Sequence, residues 1–245
     1  MTVRVELLSL NLWNLNEPLD ERMERARAWV ADETPDLLVL QEVSTLPNTG
    51  RTQAHELADA AGHDHVHFQR SWHGRNRDQG LAITSVDPLA PLDVVELPEV
   101  EGDELRILQQ VEAETAAGPL RVANTHLAWR PDDMPGRIRQ AAVLARELAD
   151  CPVPVVLAGD LNDVHGSSPL LELEDTAGLR DVCRSDRPTF ASENPWTWQV
   201  SLMDRRIDHV LVRDLQAASS EVVLTGQDAP PVSDHYGVRC VVEVT

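Results

Sequence analysis

Val153-Pro154-Val155-Val156-Leu157-Ala158-Gly159-Asp160-Leu161-Asn162 reads as an apolar strand that delivers polar residues at its far end. A short continuous apolar run between Pro and Gly has the pattern of a strand covered on both faces, here over residues 153–158. Gly159 lets the backbone turn closely, and in an extended chain the i, i+2 spacing puts Asp160 and Asn162 on one side. Taken alone the segment is equally an ordinary turn, because Asp and Asn are common turn residues. The same grammar recurs outward from it. Leu8-Ser9-Leu10-Asn11 ends an alternating run over 3–11, and Leu37-Leu38-Val39-Leu40-Gln41 leads into Glu42. Val122-Ala123-Asn124-Thr125 leads into His126, and late in the chain Arg206-Ile207-Asp208 and Ser233-Asp234-His235 accompany two more apolar runs.

Between these landmarks, helix-spaced apolar residues predict helices over 19–33, 52–61 (stopped by Gly62) and 135–149. Further strands are predicted over 37–41, 66–69, 80–84, 92–97, 105–114, 120–125, 206–212, 217–224 and 237–244. Many strands with a few interspersed helices, without strict alternation, predict an α+β arrangement of two packed sheets with helices outside. There is no internal repeat and no Gly/Ser/Pro-rich linker. Motifs from Asn11 to His235 would need both halves of the chain for one site, so a single domain over residues 1–245 is expected.

Composition narrows the chemistry. At 42% hydrophobic residues the chain can bury a sizeable core. No apolar run is long enough to span a membrane, and the N-terminal Thr2-Val3-Arg4-Val5-Glu6 enters a strand pattern rather than a signal peptide. Three scattered cysteines, Cys151, Cys183 and Cys240, make no disulfide framework, so a reduced cytoplasmic location is expected. The net charge is −20, and all 21 basic residues are arginine. The absence of lysine excludes lysine Schiff-base chemistry and a Walker-type phosphate loop. The acidity disfavours extended nonspecific contacts with nucleic acid without forbidding them, and equally serves solubility.

Asn11, Glu42, His126, Asp160, Asn162, Asp208, Asp234 and His235 together form a set suited to gripping a divalent cation and activating water beside it. Hard oxygen donors suit Mg²⁺, with Mn²⁺ as a substitute, and no Cys cluster points to structural zinc. Glu42 at the mouth of a buried strand is costly without a cationic partner, although it could simply open a loop. Asp160 could orient a water while the Asn162 amide donates to a phosphoryl oxygen. Asp234 and His235, adjacent in an extended segment, would point apart and do different jobs. Asp234 could bind metal or hold the water, and His235 could transfer a proton with Asp208 as its orienter. A single His at a strand start is more often structural; His126 would donate to phosphate, and Asn11 would support Glu42, metal or phosphate.

The ordered set LSLNLWN (8–14), LLVLQEV (37–43), QGLAITS (79–85), ANTHL (123–127), LAGDLND (157–163), RIDHVLV (206–212) and SDHYGV (233–238) resembles the endonuclease/exonuclease/phosphatase superfamily. That group includes deoxyribonucleases, abasic-site endonucleases, neutral sphingomyelinases, inositol polyphosphate 5-phosphatases and deadenylases. The resemblance implies a four-layer α/β/β/α sandwich, two mixed sheets packed face to face and flanked by helices, with the site at one end. It implies Glu42 as principal Mg²⁺ ligand, with Asn11 supporting the metal and phosphate end and Asp234 a further acidic residue. Asp160 and Asn162 would orient the water, Asp208 and His235 would form a pair, and His126 would face phosphate; either His235 or Asp160 could take the proton. Departures are Trp13, where abasic-site endonucleases carry an acidic residue, and His126, where they carry Tyr. No counterpart of the inositol phosphatases' specificity motif is evident near Arg205-Arg206.

For substrate contacts, residues 70–77 concentrate Arg70, Arg75 and Arg77 with Trp72 and His73 in an apparent loop. Trp129-Arg130 and Trp196-Thr197-Trp198 could form an aromatic rim, or be packing anchors. Three readings follow: a phosphoesterase for a small or headgroup-sized monoester or diester, a nuclease for DNA or RNA, or a non-catalytic binder. No obligate protein partner is evident.

Overall fold

In β1 (Val3–Asn11) the alternate residues Val5 and Leu7 enter one apolar cluster, while Leu8 and Leu10 enter another. That period of two, repeated in strand after strand, sorts the chain into layers. The computed structural model describes residues 1–73, 78–183, 185–197 and 204–245. After β1 come α1 (Leu19–Glu33), β2 (Leu37–Ser44), α2 (Gln53–Ala61), β3 (His65–His73), β4 (Asp78–Ser85), β5 (Leu89–Pro91), β6 (Val95–Glu96) and β7 (Ile107–Thr115). The order continues with β8 (Gly118–His126), α3 (Met134–Ala149), β9 (Val155–Asp160), α4 (Ser168–Ala177), β10 (Arg180–Asp181), β11 (Asp208–Arg213), β12 (Gln216–Val223) and β13 (Gly237–Val244).

One sheet has the order β12-β13-β1-β2-β4-β3 and the other β10-β11-β9-β8-β7-β5, with β6 also on β7. Each is mixed: β1 and β2 are parallel through α1, as are β8 and β9 through α3. Val5, Leu7, Leu37, Val39, Val122, Val156, Ala158, Val210 and Val238 fill the cluster between the sheets. Leu8, Leu10, Leu38 and Leu40 pack under α1 and α2, and Ala123, Val155, Leu157 and Leu211 under α3 and α4. The result is the expected α/β/β/α sandwich.

The alternation that makes the core also builds the site. Extending the inter-sheet parity to the strand ends reaches Asn11 in β1, Gln41 in β2, Asn124 and His126 in β8, Asp160 in β9 and Asp208 in β11. Apolar residues therefore fill the middle of the inter-sheet layer and polar ones its end. Register aligns them, with Asn11 opposite Gln41, His126 opposite Asp160, and Asp208 opposite Asp160. Beneath lies a hydrogen-bonded polar plug. Gln41 Nε2 donates to Asn124 Oδ1 at 2.9 Å, and Asn124 Nδ2 donates to the Leu40 carbonyl at 2.9 Å and to Gln109 Oε1 at 3.1 Å.

Several local expectations need correction. Of the strand expected over 92–97 only β6 (Val95–Glu96) forms; β5 lies ahead of it and ends at Pro91, which offers no N–H to the ladder, and Leu92 and Val94 remain exposed. Helix α4 escaped the reading, although Ser167 before Pro169 and Gly178 at the end are start and stop signals. Residues 70–73 lie in β3 rather than in a loop, and Arg75, Arg77 and Trp198 lie outside the described residues. Among the described residues, no helix is long and apolar enough to cross a membrane.

Candidate active site

Glu42 does not follow the end of its strand; it sits within β2 at a bulge. The β2–β4 register shifts between Leu40 and Val43, and Glu42 adopts a left-handed φ of 50°. Simple alternation would aim residue 42 towards the helices, as it does Leu38 and Leu40. The bulge instead turns the carboxylate into a cleft at the end of the inter-sheet layer, a local strain of the kind that marks functional positions. Asn11 Nδ2 donates to Glu42 Oε1 at 3.2 Å and to Asp160 Oδ2 at 3.1 Å, so one amide links the two sheets. Its Oδ1 accepts the Trp13 N–H at 2.9 Å. Asn14 Nδ2 donates to the second Glu42 oxygen.

Asp160 reaches this point because Gly159 precedes it. A Cβ on Gly159 would stand 2.1 Å from the Thr125 carbonyl oxygen, so only glycine lets β9 lie so close to β8 there. Asn162 does not continue an extended segment. Its φ is 52°, its N–H donates to Asp160 Oδ1 at 3.0 Å, and its side-chain amide donates to the Leu127 carbonyl at 3.0 Å. The expected i, i+2 alignment is replaced by an Asx-type turn that keeps Asn162 beside the cleft. His126 Nε2 and His235 Nε2 lie 3.5 Å and 3.7 Å from Asp160 Oδ2.

His235 Nδ1 pairs with Asp208 Oδ2 at 2.9 Å. The pair is buttressed by a segment that the sequence did not flag. Thr189 Oγ1 accepts the N–H groups of Ile207 and Asp208, each at 3.1 Å, and the Thr189 carbonyl accepts the Tyr236 N–H at 2.7 Å. Phe190 tilts against His235 with ring centroids 5.0 Å apart. Asp234 and His235 both face the cleft, because the chain bends at 233–235 instead of running extended. Arg22, buried in α1, secures the floor with five hydrogen bonds. They run to the carbonyls of Leu12, Asn14, Asn16 (twice) and Val232, tying the segment after β1 to the approach to Asp234.

Electrostatics follow burial and charge. Desolvation raises the Glu42 pKa, opposed by the Asn11 hydrogen bond. Desolvation, then the Asp208 charge, raises Asp160 to about 6; desolvation raises Asp234 to about 7. His126 lies well below its usual value through desolvation and the Arg106 and His235 charges, which keeps it neutral. Desolvation opposes charge on His235, yet Asp208 and Asp160 outweigh it and hold the imidazolium well above its usual range. Several buried carboxylates raised towards neutrality form a site short of positive charge.

The cleft encloses about 640 Å³. Glu42, His126, Asp160, Asn162, Asp234 and His235 line it, with Asn11 and Asp208 behind. Its aromatic lining is Trp13, Trp72 and Trp129 with Phe190. Trp196 is instead a packing anchor, with Nε1 on the Pro231 carbonyl and Arg25 over its ring. Arg70 lies in β3, 3.5 Å from Asp78, and is absent from the lining. Arg130 lines the cleft, as does Arg106, which pairs with Asp103 at 2.7 Å and was not singled out from sequence. Asn14 was equally missed, although it closes the quoted LNLWN run and its positive φ marks a tight turn.

A divalent cation fits this donor set. Glu42 and Asp234 present hard oxygens to the cleft, where burial raises both pKa values and a bound cation would offset that cost. Asp160, Asp208 and His235 also bring ligand-type atoms within 4.8 Å of one another. In that trio His235 Nδ1 is already engaged by Asp208, so the hydrogen-bonded pair itself accounts for the closeness.

The sequence matches the Endonuclease/Exonuclease/phosphatase family over residues 8–235. No curated protein matches it. Among solved structures, an endonuclease/exonuclease/phosphatase from Beutenbergia cavernae superposes with a TM-score of 0.76 at 24% identity, covering 98% of this chain and 72% of that one. Danio rerio TDP2 complexed with a single-strand DNA product gives 0.75 at 18% identity, covering 98% of each chain. The human Nocturnin catalytic domain with bound sulfate gives 0.74 at 16% identity, covering 100% of this chain and 97% of that one. At these identities the likeness establishes the fold.

Proposed function

The chain belongs to the endonuclease/exonuclease/phosphatase family, and from that premise we propose that it is a divalent-metal-dependent phosphoesterase for a small or headgroup-type phosphoester. The observation that carries this reading is the hydrogen-bonded line Glu42–Asn11–Asp160, with the Asp208–His235 pair beside Asp160, at the edge of one cleft. Glu42, through Asn11, and His235 flank the same carboxylate, an arrangement that suits a cation on one side of Asp160 and a proton carrier on the other.

In the proposed reaction, Glu42 and Asp234 would hold the cation, with Asn14 and Asn11 orienting Glu42. Bound there, Mg²⁺ or Mn²⁺ would supply positive charge to the phosphoryl oxygens and offset the carboxylates that keep His235 protonated. Asp160, fixed by Asn11 and by the Asn162 N–H, accepts a hydrogen bond from the attacking water and sets its line of approach. As the water oxygen bonds to phosphorus and the P–O bond opposite it breaks, His235 Nε2 takes the water's proton. Asp208 meanwhile holds Nδ1 and the ring orientation, and the departing oxygen is protonated from solvent. Neutral His126 donates to a phosphoryl oxygen as charge builds there.

A small substrate is favoured by the cleft wall, where Asp103 and Glu104 stand beside Arg106, and by the net charge of −20. Both oppose a long polyanion. The nuclease reading rests on the three indoles of the cleft, which could stack on bases. Hydrolysis of bis(p-nitrophenyl) phosphate beside p-nitrophenyl phosphate, with Mg²⁺ or Mn²⁺ and an EDTA blank, tests the proposal against His235→Ala. Turnover that survives both EDTA and the substitution would refute it. Nucleic-acid cleavage that falls steeply with salt would favour the nuclease instead.

A further inference from the structure

Arg130 faces the cleft, but its guanidinium is occupied. Nη1 donates to the Glu101 carbonyl at 3.1 Å and Nη2 to the Gly102 carbonyl at 2.6 Å, while Cζ lies 5.8 Å from the Trp129 ring centroid. Its own carbonyl accepts from Arg137 Nη1 of α3 at 2.7 Å, so its backbone is anchored to the scaffold. Gly102 is shaped to the contact. Its φ is 75°, and a Cβ there would stand 2.8 Å from Arg130 Nη1.

The segment that Arg130 grips leaves β6 and returns as β7. Its first part rests on α3: Gln140 Nε2 donates to the Pro98 carbonyl at 3.1 Å, and a Cβ on Gly136 would lie 2.5 Å from Val100 Cγ2. Its second part, Gly102 to Arg106, lines the cleft and closes on itself through the Asp103 N–H to the Val100 carbonyl at 3.0 Å and the Arg106–Asp103 pair. On the other side of the Arg130–Gly102 bridge lies an open groove that also contains Glu101, Asp132 and Arg139.

We propose that Arg130 is a positioning residue that clasps the 98–106 segment against α3 and thereby sets the wall of the cleft, rather than a ligand of the substrate phosphate. The proposal rests on the phosphoesterase reading only for its kinetic consequence. The wall carries Arg106, whose charge acts on Glu42 and His126, so the clasp shapes substrate binding without touching the reacting atoms.

A double-mutant cycle between Arg130→Ala and Gly102→Ala separates the two roles. With a clasp, each single variant raises KM for bis(p-nitrophenyl) phosphate about tenfold with kcat within about twofold, and the pair adds little more. Arg130→Lys, which keeps the charge but loses the planar fork, stays impaired. With a phosphate ligand, Gly102→Ala frees the guanidinium and leaves KM near that of the unaltered enzyme, and Arg130→Lys restores binding; either result overturns the proposal. Hydrogen exchange decides the matter without turnover. The Leu97 and Asp103 amides should exchange faster in Arg130→Ala, with α3 and β7 unchanged. Unchanged exchange overturns the clasp, whereas faster exchange in an enzyme that turns over no phosphoester upholds it and removes the phosphoesterase reading alone.

Discussion

Replacing Asp208 with Asn perturbs the proposed proton path at its most deeply buried member. Asp208 is fully buried, accepts His235 Nδ1 at 2.9 Å and is held by Thr189 through its own N–H. Asn keeps the shape and removes the charge. A hydrogen bond to a charged group is worth about 1.5–3 kcal/mol, or roughly 10- to 150-fold in rate when it acts in the transition state. Freeing the imidazole to adopt the wrong tautomer adds to this, so kcat should fall about 10²–10⁴-fold. The pH profile carries a sign as well. Burial opposes the charge on His235, and Asp208 and Asp160 raise its pKa; without Asp208 the ring gives up its proton at lower pH. Asp160, which burial and then Asp208 raise to about 6, moves the same way. The acid limb of kcat/KM, followed with bis(p-nitrophenyl) phosphate at saturating Mg²⁺, should therefore shift to lower pH. A variant with kcat within about threefold of the unaltered enzyme and an unmoved acid limb would refute the reasoning.

Mg²⁺ at about a hundredfold over its dissociation constant should stabilise the protein by about 2.7 kcal/mol in thermal melts. Glu42→Gln should abolish that gain; a retained gain would move the cation elsewhere, for instance to Asp160, Asp208 and His235. Asn14→Ala removes one donor to Glu42 and should raise the Mg²⁺ concentration for half-activity about tenfold, leaving kcat at saturating metal within about threefold. An unchanged metal requirement would deny Asn14 that role. Asp181 lies outside the cleft: burial would raise its pKa, but His209 and Arg206 outweigh burial and hold it at about 2. Its stabilisation, on the order of 2 kcal/mol, is complete above the unfolded carboxylate value near 4 and is lost as pH falls to about 2. Asp181→Asn should flatten that acid loss in denaturant titrations, and an unaltered acid limb would show that the charge carries no such linkage.

What the sequence disclosed and what it concealed divide along a physical line. Apolar periodicity reports burial, so strands such as 237–244 and helices such as 19–33 were legible with their observed bounds. The two faces of β1 and β2 were not distinguished, because Leu8 and Leu7 are equally apolar and only the packing of the second sheet tells them apart. The polar strand ends were visible for a related reason. A buried strand that finishes in Asn, His or Asp exposes an otherwise costly group, and that cost is local enough to read.

The bulge at Glu42 was not local in that sense. No residue near it signals a left-handed φ: Gln41, Glu42 and Val43 read as plain continuation of a strand. Simple alternation applied faithfully would have pointed the carboxylate at α1. What turns it is the pairing with β4, whose register slips by one residue between Leu40 and Val43. The same distinction separates Asp208 from Thr189. Asp208 stands in the polar RIDHVLV motif, whereas Thr189 acts through one hydroxyl that accepts two backbone N–H groups across a gap of 18 and 19 residues. Arg130 belongs with Thr189. From sequence, an Arg beside a Trp after a polar strand end is a phosphate contact by its chemistry. In the fold its donors are drawn to two carbonyls that happen to face it, 28 and 29 residues earlier in the chain. Residue type thus identifies which groups can perform the chemistry, while the partners that hold them are settled by long-range register and loop closure. Residue type therefore says least at arginines on loops, whose many donors suit a carbonyl pair as well as a phosphate.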